Sequence, residues 1–248
     1  MMDTEMPESD NNYYVTRKKD IMKNFVQIAN TARKASEDEV DLTSIEQLVE
    51  KARVEFERIL PTLPYVGGDK SPFTEMMIQS GETIAFYNAC KSAGLETRKI
   101  GELLYRIAES QVESISSIKK WVTRRVLFST QVKNGWRKTM NESQKCKYPG
   151  NWVGSYLPRE GNSFEFGLDF TECAFLKLAD IFGSREIAPY VCLCDFARMR
   201  GIGVGFKRTK TLALGHEKCD FRFVRDYKTP RGWPPENLEE HGQRRSEL

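Results

Sequence analysis

Histidine is almost absent from this chain: His216 and His241 are the only two in 248 residues. A Ser-His-Asp mechanism therefore has one candidate base, His216, because His241 falls in the charged terminal stretch. His216 itself sits in a glycine turn, LGHEK, where an exposed loop side chain is the simpler reading. The six cysteines contain no C-x-x-C pair, so the usual zinc-ligand spacing is missing. His216 and Cys219 would need Cys192 or Cys173 to complete a zinc set, and neither a metal nor a cofactor is expected. Six cysteines are also too few for a disulfide scaffold of this length, which points to free thiols in a reducing compartment.

Long hydrophobic runs are missing too. Nothing approaches the roughly eighteen apolar residues of a spanning helix. The opening MMDTEMPESD is acidic and polar, without the basic and apolar regions of a secretory leader. An excess of one charge is likewise lacking: 38 Lys and Arg against 35 Asp and Glu leave +3, and the two signs are interspersed. That is no footprint for nucleic acid. The glycines Gly201, Gly203 and Gly205 lead into a strand pattern, whereas a dinucleotide loop needs a helix N-terminus behind it to receive the pyrophosphate. The expectation is a cytoplasmic protein with neither nucleic acid nor a membrane as partner. Its oligomeric state is not legible.

What is present is an ordinary core, 40 % apolar and 29 % charged residues, enough for one large domain or two small ones. Residues 1–15 read as a disordered lead-in, 16–140 as a helical region, 145–227 as an α+β region and 228–248, Pro-rich and charged, as a flexible tail. Thr43 and Glu46 form a capping box before IEQLVEKARVEFERIL, where Ile45, Leu48, Val49, Ala52 and Phe56 recur at helical spacing. Ser71-Pro72 opens a second helix that Gly94 ends. Ile100, Leu103, Leu104, Ile107 and Ile115 mark one face of a third. SIKKWVTRRVLFSTQVKNGWRKTM reads as a single fourth helix, its Lys119, Lys120, Arg124 and Arg125 a solvated face. Near Pro149 the period changes from 3.6 to 2. NWVGSYL and SFEFGLDF read as strands joined through PREGN, and TECAFLKLADIFG as a short helix with Thr171 as N-cap and Gly183 as stop. A helix over 189–199 and the strands VGFKRTKT and KCDFRFV follow. The fold class is α+β, a helical N-terminal half packed with a small antiparallel sheet and helices in the C-terminal half.

Four of the six cysteines lie between Cys173 and Cys219. With Thr171 as cap, Cys173 falls in the first helical turn, where backbone N–H groups and the helix dipole favour a thiolate. Glu172 beside it is a candidate acid or base; the plain alternative is a thiol packed under the helix start. Cys192 and Asp195, three apart, share a helix face, whereas Cys192 and Cys194 do not. On KCDFRFV, Cys219, Phe221 and Phe223 share one strand face and Asp220 and Arg222 the other, and a Cys followed by two Phe at period 2 reads first as core. Arg208 either pairs with a buried carboxylate or grips a ligand's carboxylate with two parallel hydrogen bonds.

TEC at 171–173, the E-x-x-P-Y-x-C-x-x-D run from Glu186 to Asp195, RTKTLALGHEKCDFRF at 208–223 and YPGNWVGSYL upstream carry a likeness. Together these residues resemble the L-2-amino-thiazoline-4-carboxylic acid hydrolase family, most closely over residues 145–225. The resemblance implies an enzyme acting on a small-molecule substrate, hydrolytically opening a cyclic amidine to a carbamoyl-cysteine; another tailoring reaction, such as a cyclase, and a non-catalytic small-ligand-binding module are the alternatives. Such chemistry needs a nucleophile or activated water, an acid for the departing nitrogen and a cation for the substrate carboxylate. On the matching positions, the candidates are Cys173, Cys192 or Cys219 as nucleophile and Glu172, Asp195 or Asp220 as acid or base. Arg208 and Thr211 are the candidate substrate-binding residues. Cys194 and His216 fall at positions the pattern leaves free.

Overall fold

The computed structural model describes residues 13–23, 25 and 42–242. Along them run the helices α1 (Tyr13–Thr16), α2 (Leu42–Ile59), α3 (Phe73–Ser92), α4 (Thr97–Glu113), α5 (Ser117–Leu127) and α6 (Thr130–Ser143). Strands β1 (Val153–Leu157) and β2 (Phe166–Glu172), helices α7 (Ala174–Ile181) and α8 (Ala188–Gly201), strands β3 (Gly205–Lys207) and β4 (Cys219–Val224), and the turn α9 (Glu239–Gly242) follow. The class is α+β. No helix among the described residues is long and apolar enough to cross a membrane. The elements gather into two compact units interleaved along the chain: the described residues of 1–96, 148–151 and 174–185 form one, those of 97–147, 152–173 and 186–242 the other.

The first unit is helical. In α2, Ile45, Leu48, Ala52, Phe56 and Ile59 are buried at the three-to-four spacing that puts one stripe against a neighbour. That neighbour is α3, which buries residues around much of its circumference. At Gly81 an added Cβ would stand 3.1 Å from Phe56 and 3.0 Å from Leu63, so the two helices approach closely there. The Ser71 hydroxyl accepts the Phe73 N–H at 3.3 Å at the start of α3, and Gly94, at φ +85°, turns the chain out beyond its end. α2 begins at Leu42, ahead of the expected Thr43 cap, whose side chain lies outside the described residues. Residues 1–12 of the expected lead-in also lie outside them, while Tyr14 in α1 is buried and donates its hydroxyl to the Pro64 carbonyl at 3.0 Å.

The second unit holds the sheet. Its strand order is β1-β2-β4-β3, every neighbouring pair antiparallel. In register, Phe166 faces Phe223, Leu168 faces Phe221 and Phe170 faces Cys219. Phe166 stacks on Phe223 at 4.5 Å between ring centroids, and Phe206 meets Phe221 edge-on at 5.2 Å and Phe196 of α8 at 5.1 Å. Such pairs add specific geometry to a large buried area. α4 packs along α8, and glycine permits it: a Cβ at Gly101 would stand 2.5 Å from Tyr190, and one at Gly201 2.4 Å from Val112.

Several boundaries differ from the sequence reading. The basic fourth helix is two, α5 and α6, because Ser129 is extended and its hydroxyl caps the Val132 N–H at 3.3 Å. β2 runs through Glu172, so Thr171 is a strand residue, its hydroxyl reaching the Val153 carbonyl at 3.4 Å, and not a helix cap. Consequently Cys173 precedes the first helical residue, Ala174, instead of lying one turn inside. The strand expected at VGFKRTKT stops at Lys207, which leaves Arg208 in the following loop. Within the stretch read as a flexible tail, Thr229, Leu238 and Glu240 are buried.

Candidate active site

The site is organised around one buried cation. Arg208 follows β3, and its side chain has no solvent exposure. Its Nε donates to Glu240 Oε2 at 2.6 Å and its Nη2 to Glu240 Oε1 at 2.9 Å, the two-point geometry that suits a guanidinium and a carboxylate. Nη2 also donates to the Cys192 carbonyl at 2.9 Å, and Nη1 to Asp195 Oδ2 at 2.8 Å. The rings of Phe196, Phe221 and Phe206 surround it, with centroids 5.1, 5.3 and 5.8 Å from Cζ. Aromatic faces and two carboxylates together offset the desolvation of the guanidinium. Of the two readings open for Arg208, the contact in place is with buried carboxylates.

The two carboxylates are unlike. Glu240, on α9, is fully enclosed, whereas the Asp195 side chain keeps 30 % of its surface exposed. Oδ1 of Asp195 takes no hydrogen bond from any described residue. Burial pushes the Asp195 carboxyl up from its ordinary range; Arg208 and Arg198 pull it down, and Glu240 pushes it up again. A carboxylate in such surroundings is a better proton acceptor near neutrality than a free one.

Behind Arg208 the chain is held in a loop by Asp220. Its Oδ1 accepts the backbone N–H groups of Thr209 at 2.8 Å and Lys210 at 2.7 Å, and Oδ2 the Thr209 hydroxyl at 2.7 Å. Asp220 stands opposite Asp169 in register, and like charges facing across strands repel. Asp169 is answered separately, by Lys218 and Arg222 at 2.6 Å each. The Asp220 carboxylate is thus taken up by the loop, which aims Arg208 and Thr211 at α8.

Thr211 is buried and joins two thiols. Its hydroxyl lies 3.5 Å from Cys192 Sγ and 3.5 Å from Cys219 Sγ, and the Leu212 N–H donates to Cys219 Sγ at 3.2 Å. Burial pushes the Cys192 thiol well up from its ordinary value, with Arg208 pulling the other way. It pushes Cys219 up as well, against the hydrogen bonds from Thr211 and Leu212. Both are therefore neutral thiols near neutrality, and the thiolate is the nucleophilic form. Cys173 is half-buried and near enough to Cys192 to act on its charge; Glu172 ends β2 at the surface.

The structure thus brings together Cys192, Asp195, Arg208, Thr211 and Cys219, with Cys173 at the margin, and turns Asp220 to the opposite side of its strand. Cys194 is buried core. Among the described residues no three His, Cys, Asp or Glu side chains are gathered as a metal site. The residue the sequence reading missed is Glu240. Its one signal is Trp233 and Leu238 inside WPPENLEEH, two large apolar side chains in a segment otherwise read as solvated.

Residues 75–223 match the family model described as L-2-amino-thiazoline-4-carboxylic acid hydrolase. No curated protein and no solved structure matches the chain. The matched span includes Cys192, Asp195, Arg208, Thr211 and Cys219 and ends ahead of Glu240.

Proposed function

The chain belongs to the L-2-amino-thiazoline-4-carboxylic acid hydrolase family, and from that premise we propose that it hydrolyses a small cyclic amidine or a related carbon–nitrogen centre with carboxylate-activated water. Asp195 is the base. It removes a proton from water as the oxygen adds to the amidine carbon. The tetrahedral adduct then collapses, its ring bond breaks, and the proton held by Asp195 passes to the departing heteroatom. Asp195 ends as it began, and one water has been added across the ring.

The observation that carries this reading is the contrast between Asp195 and the thiols. Asp195 is part-exposed, hydrogen-bonded through one oxygen and raised from the ordinary carboxylate range, which makes it a better base, while desolvation raises half-buried Cys192 and buried Cys219 from the ordinary thiol value, which keeps them from the nucleophilic form. Arg208 acts here by orienting Asp195, because Glu240 already fills its fork. Cys192, Cys219 and Thr211 form the wall beside the base.

The test is incubation with 2-amino-thiazoline-4-carboxylate, following ring opening by mass spectrometry. The expected result is turnover that falls by about 10²–10⁴-fold in Asp195→Asn and survives in Cys192→Ser and Cys219→Ser. Turnover that withstands Asp195→Asn and disappears with either thiol would replace the carboxylate mechanism by a thiolate one.

A further inference from the structure

Glu240 lies outside the span matched to the family and is the most enclosed carboxylate of the cluster, with no exposed side-chain surface. It has no place in the proposed reaction as a group that touches substrate. Its contacts are nonetheless specific. It occupies Nε and one Nη2 hydrogen of Arg208, the side of the guanidinium that would otherwise present a two-point fork. The Cys192 carbonyl takes the other Nη2 hydrogen. Asp195 is left with a single bond, from Nη1 to Oδ2, and its Oδ1 has no described donor.

We propose that Glu240 is a positioning residue for Asp195: it claims the two-point face of Arg208, so that Asp195 is held by one oxygen and keeps the other for water. This rests on Asp195 being the base of the proposed reaction. Without Glu240, the guanidinium is free to turn its paired N–H groups toward the nearest remaining carboxylate, Asp195. A carboxylate held at both oxygens beside an uncompensated cation is a weak base. Glu240 prevents that by geometry, through the fork it fills, and by charge, through the positive field it cancels. The ionisable groups bearing on Asp195 are Arg208 from the loop after β3, Glu240 from α9, Arg198, Cys192 and Cys194 from its own helix, and Cys219 from β4. Glu240 is the other carboxylate among them.

The experiment is a pH titration of the Asp195 side-chain carboxyl by carbon NMR in the full-length chain, the signal assigned by its loss in Asp195→Asn. In Glu240→Gln, which keeps shape and removes charge, the Asp195 midpoint is expected to fall by about one pH unit or more. Glu240→Asp keeps the charge but retracts it by one methylene, and gives a smaller fall in the same direction; it decides the matter if the Gln variant does not fold. An unchanged or raised Asp195 midpoint in a folded variant overturns the proposal, since a purely structural Glu240 would alter the melting temperature alone. The titration needs no substrate, so it is decided separately from whether ring opening is found.

Discussion

Arg208→Met isolates the electrostatic centre of the site, because methionine keeps a long apolar stem against Phe196, Phe206 and Phe221 while removing the charge. Glu240, with no exposed surface, then loses bonds of 2.6 and 2.9 Å, and Asp195 one of 2.8 Å. Removing one partner of a buried pair costs about 3–5 kcal/mol, with the larger share at Glu240 because Asp195 retains solvent contact. Set against a total stability of about 5–15 kcal/mol, the loss is large. Its pH dependence identifies its cause. An unpaired buried carboxylate binds a proton more tightly in the folded variant than in the unfolded chain. Stability is therefore full below the ordinary carboxylate range and is lost as pH rises, by up to about 1.4 kcal/mol per unit. Urea denaturation of wild type and variant from pH 5 to 8 should show a deficit that widens with pH. Arg208→Met combined with Glu240→Met should recover much of it, since an apolar set of similar volume replaces a buried ion pair at little cost. A deficit under about 1 kcal/mol, the level of an exposed pair, or one independent of pH, would refute the account of Arg208 as a buried hub.

Elsewhere in the molecule, burial holds the Glu82 carboxyl of α3 up at about 8, with Glu75 adding to the effect. Its proton is retained on folding, so stability present below the ordinary value of 4.5 is lost as pH rises toward 8 and then levels off. Glu82→Gln should match wild type near pH 5 and exceed it by about 3 kcal/mol near pH 8 in denaturant titrations; equal stability at both would show that water reaches the carboxylate. Among the thiols, Cys146 is exposed, whereas burial pushes Cys194 to about 11 and Cys90 to about 12. Iodoacetamide at pH 7.5 should therefore modify Cys146 first, with Cys192, Cys194, Cys219 and Cys90 slower by about 100-fold or more until the chain is unfolded. Rapid native labelling of Cys192 would reopen thiolate catalysis.

Much of the fold could be read because its signals are local. The stripe Ile45, Leu48, Ala52 and Phe56, the glycine stop at Gly94 and the alternation Phe166, Leu168, Phe170 each depend on neighbours within a few positions. The reading failed where a local preference had two outcomes. Ser129 caps a new helix in a stretch whose periodicity runs unbroken, and Thr171 lies within β2, where its hydroxyl donates to the Val153 carbonyl of β1 instead of capping a helix. At the site, Cys192 and Asp195 were legible as one helix face, since three residues return to the same side. Asp220 looked as reactive as Asp195; the two are distinguished by the backbone N–H groups of Thr209 and Lys210, which no spacing rule announces.

What the sequence determined by itself is the family, the α+β class and a small set of candidate positions, because those rest on residue types and short-range periodicity. What the tertiary structure decided is the surroundings of each position. Folding carries Glu240, 32 positions from Arg208, into the fork of that guanidinium. It leaves Asp195 part-exposed while closing Glu240 off, and it sets half-buried Cys192 and buried Cys219 beside Thr211, where desolvation raises both thiols. Basicity and nucleophilicity depend on solvent and neighbouring charge, and both are set by contacts between distant segments.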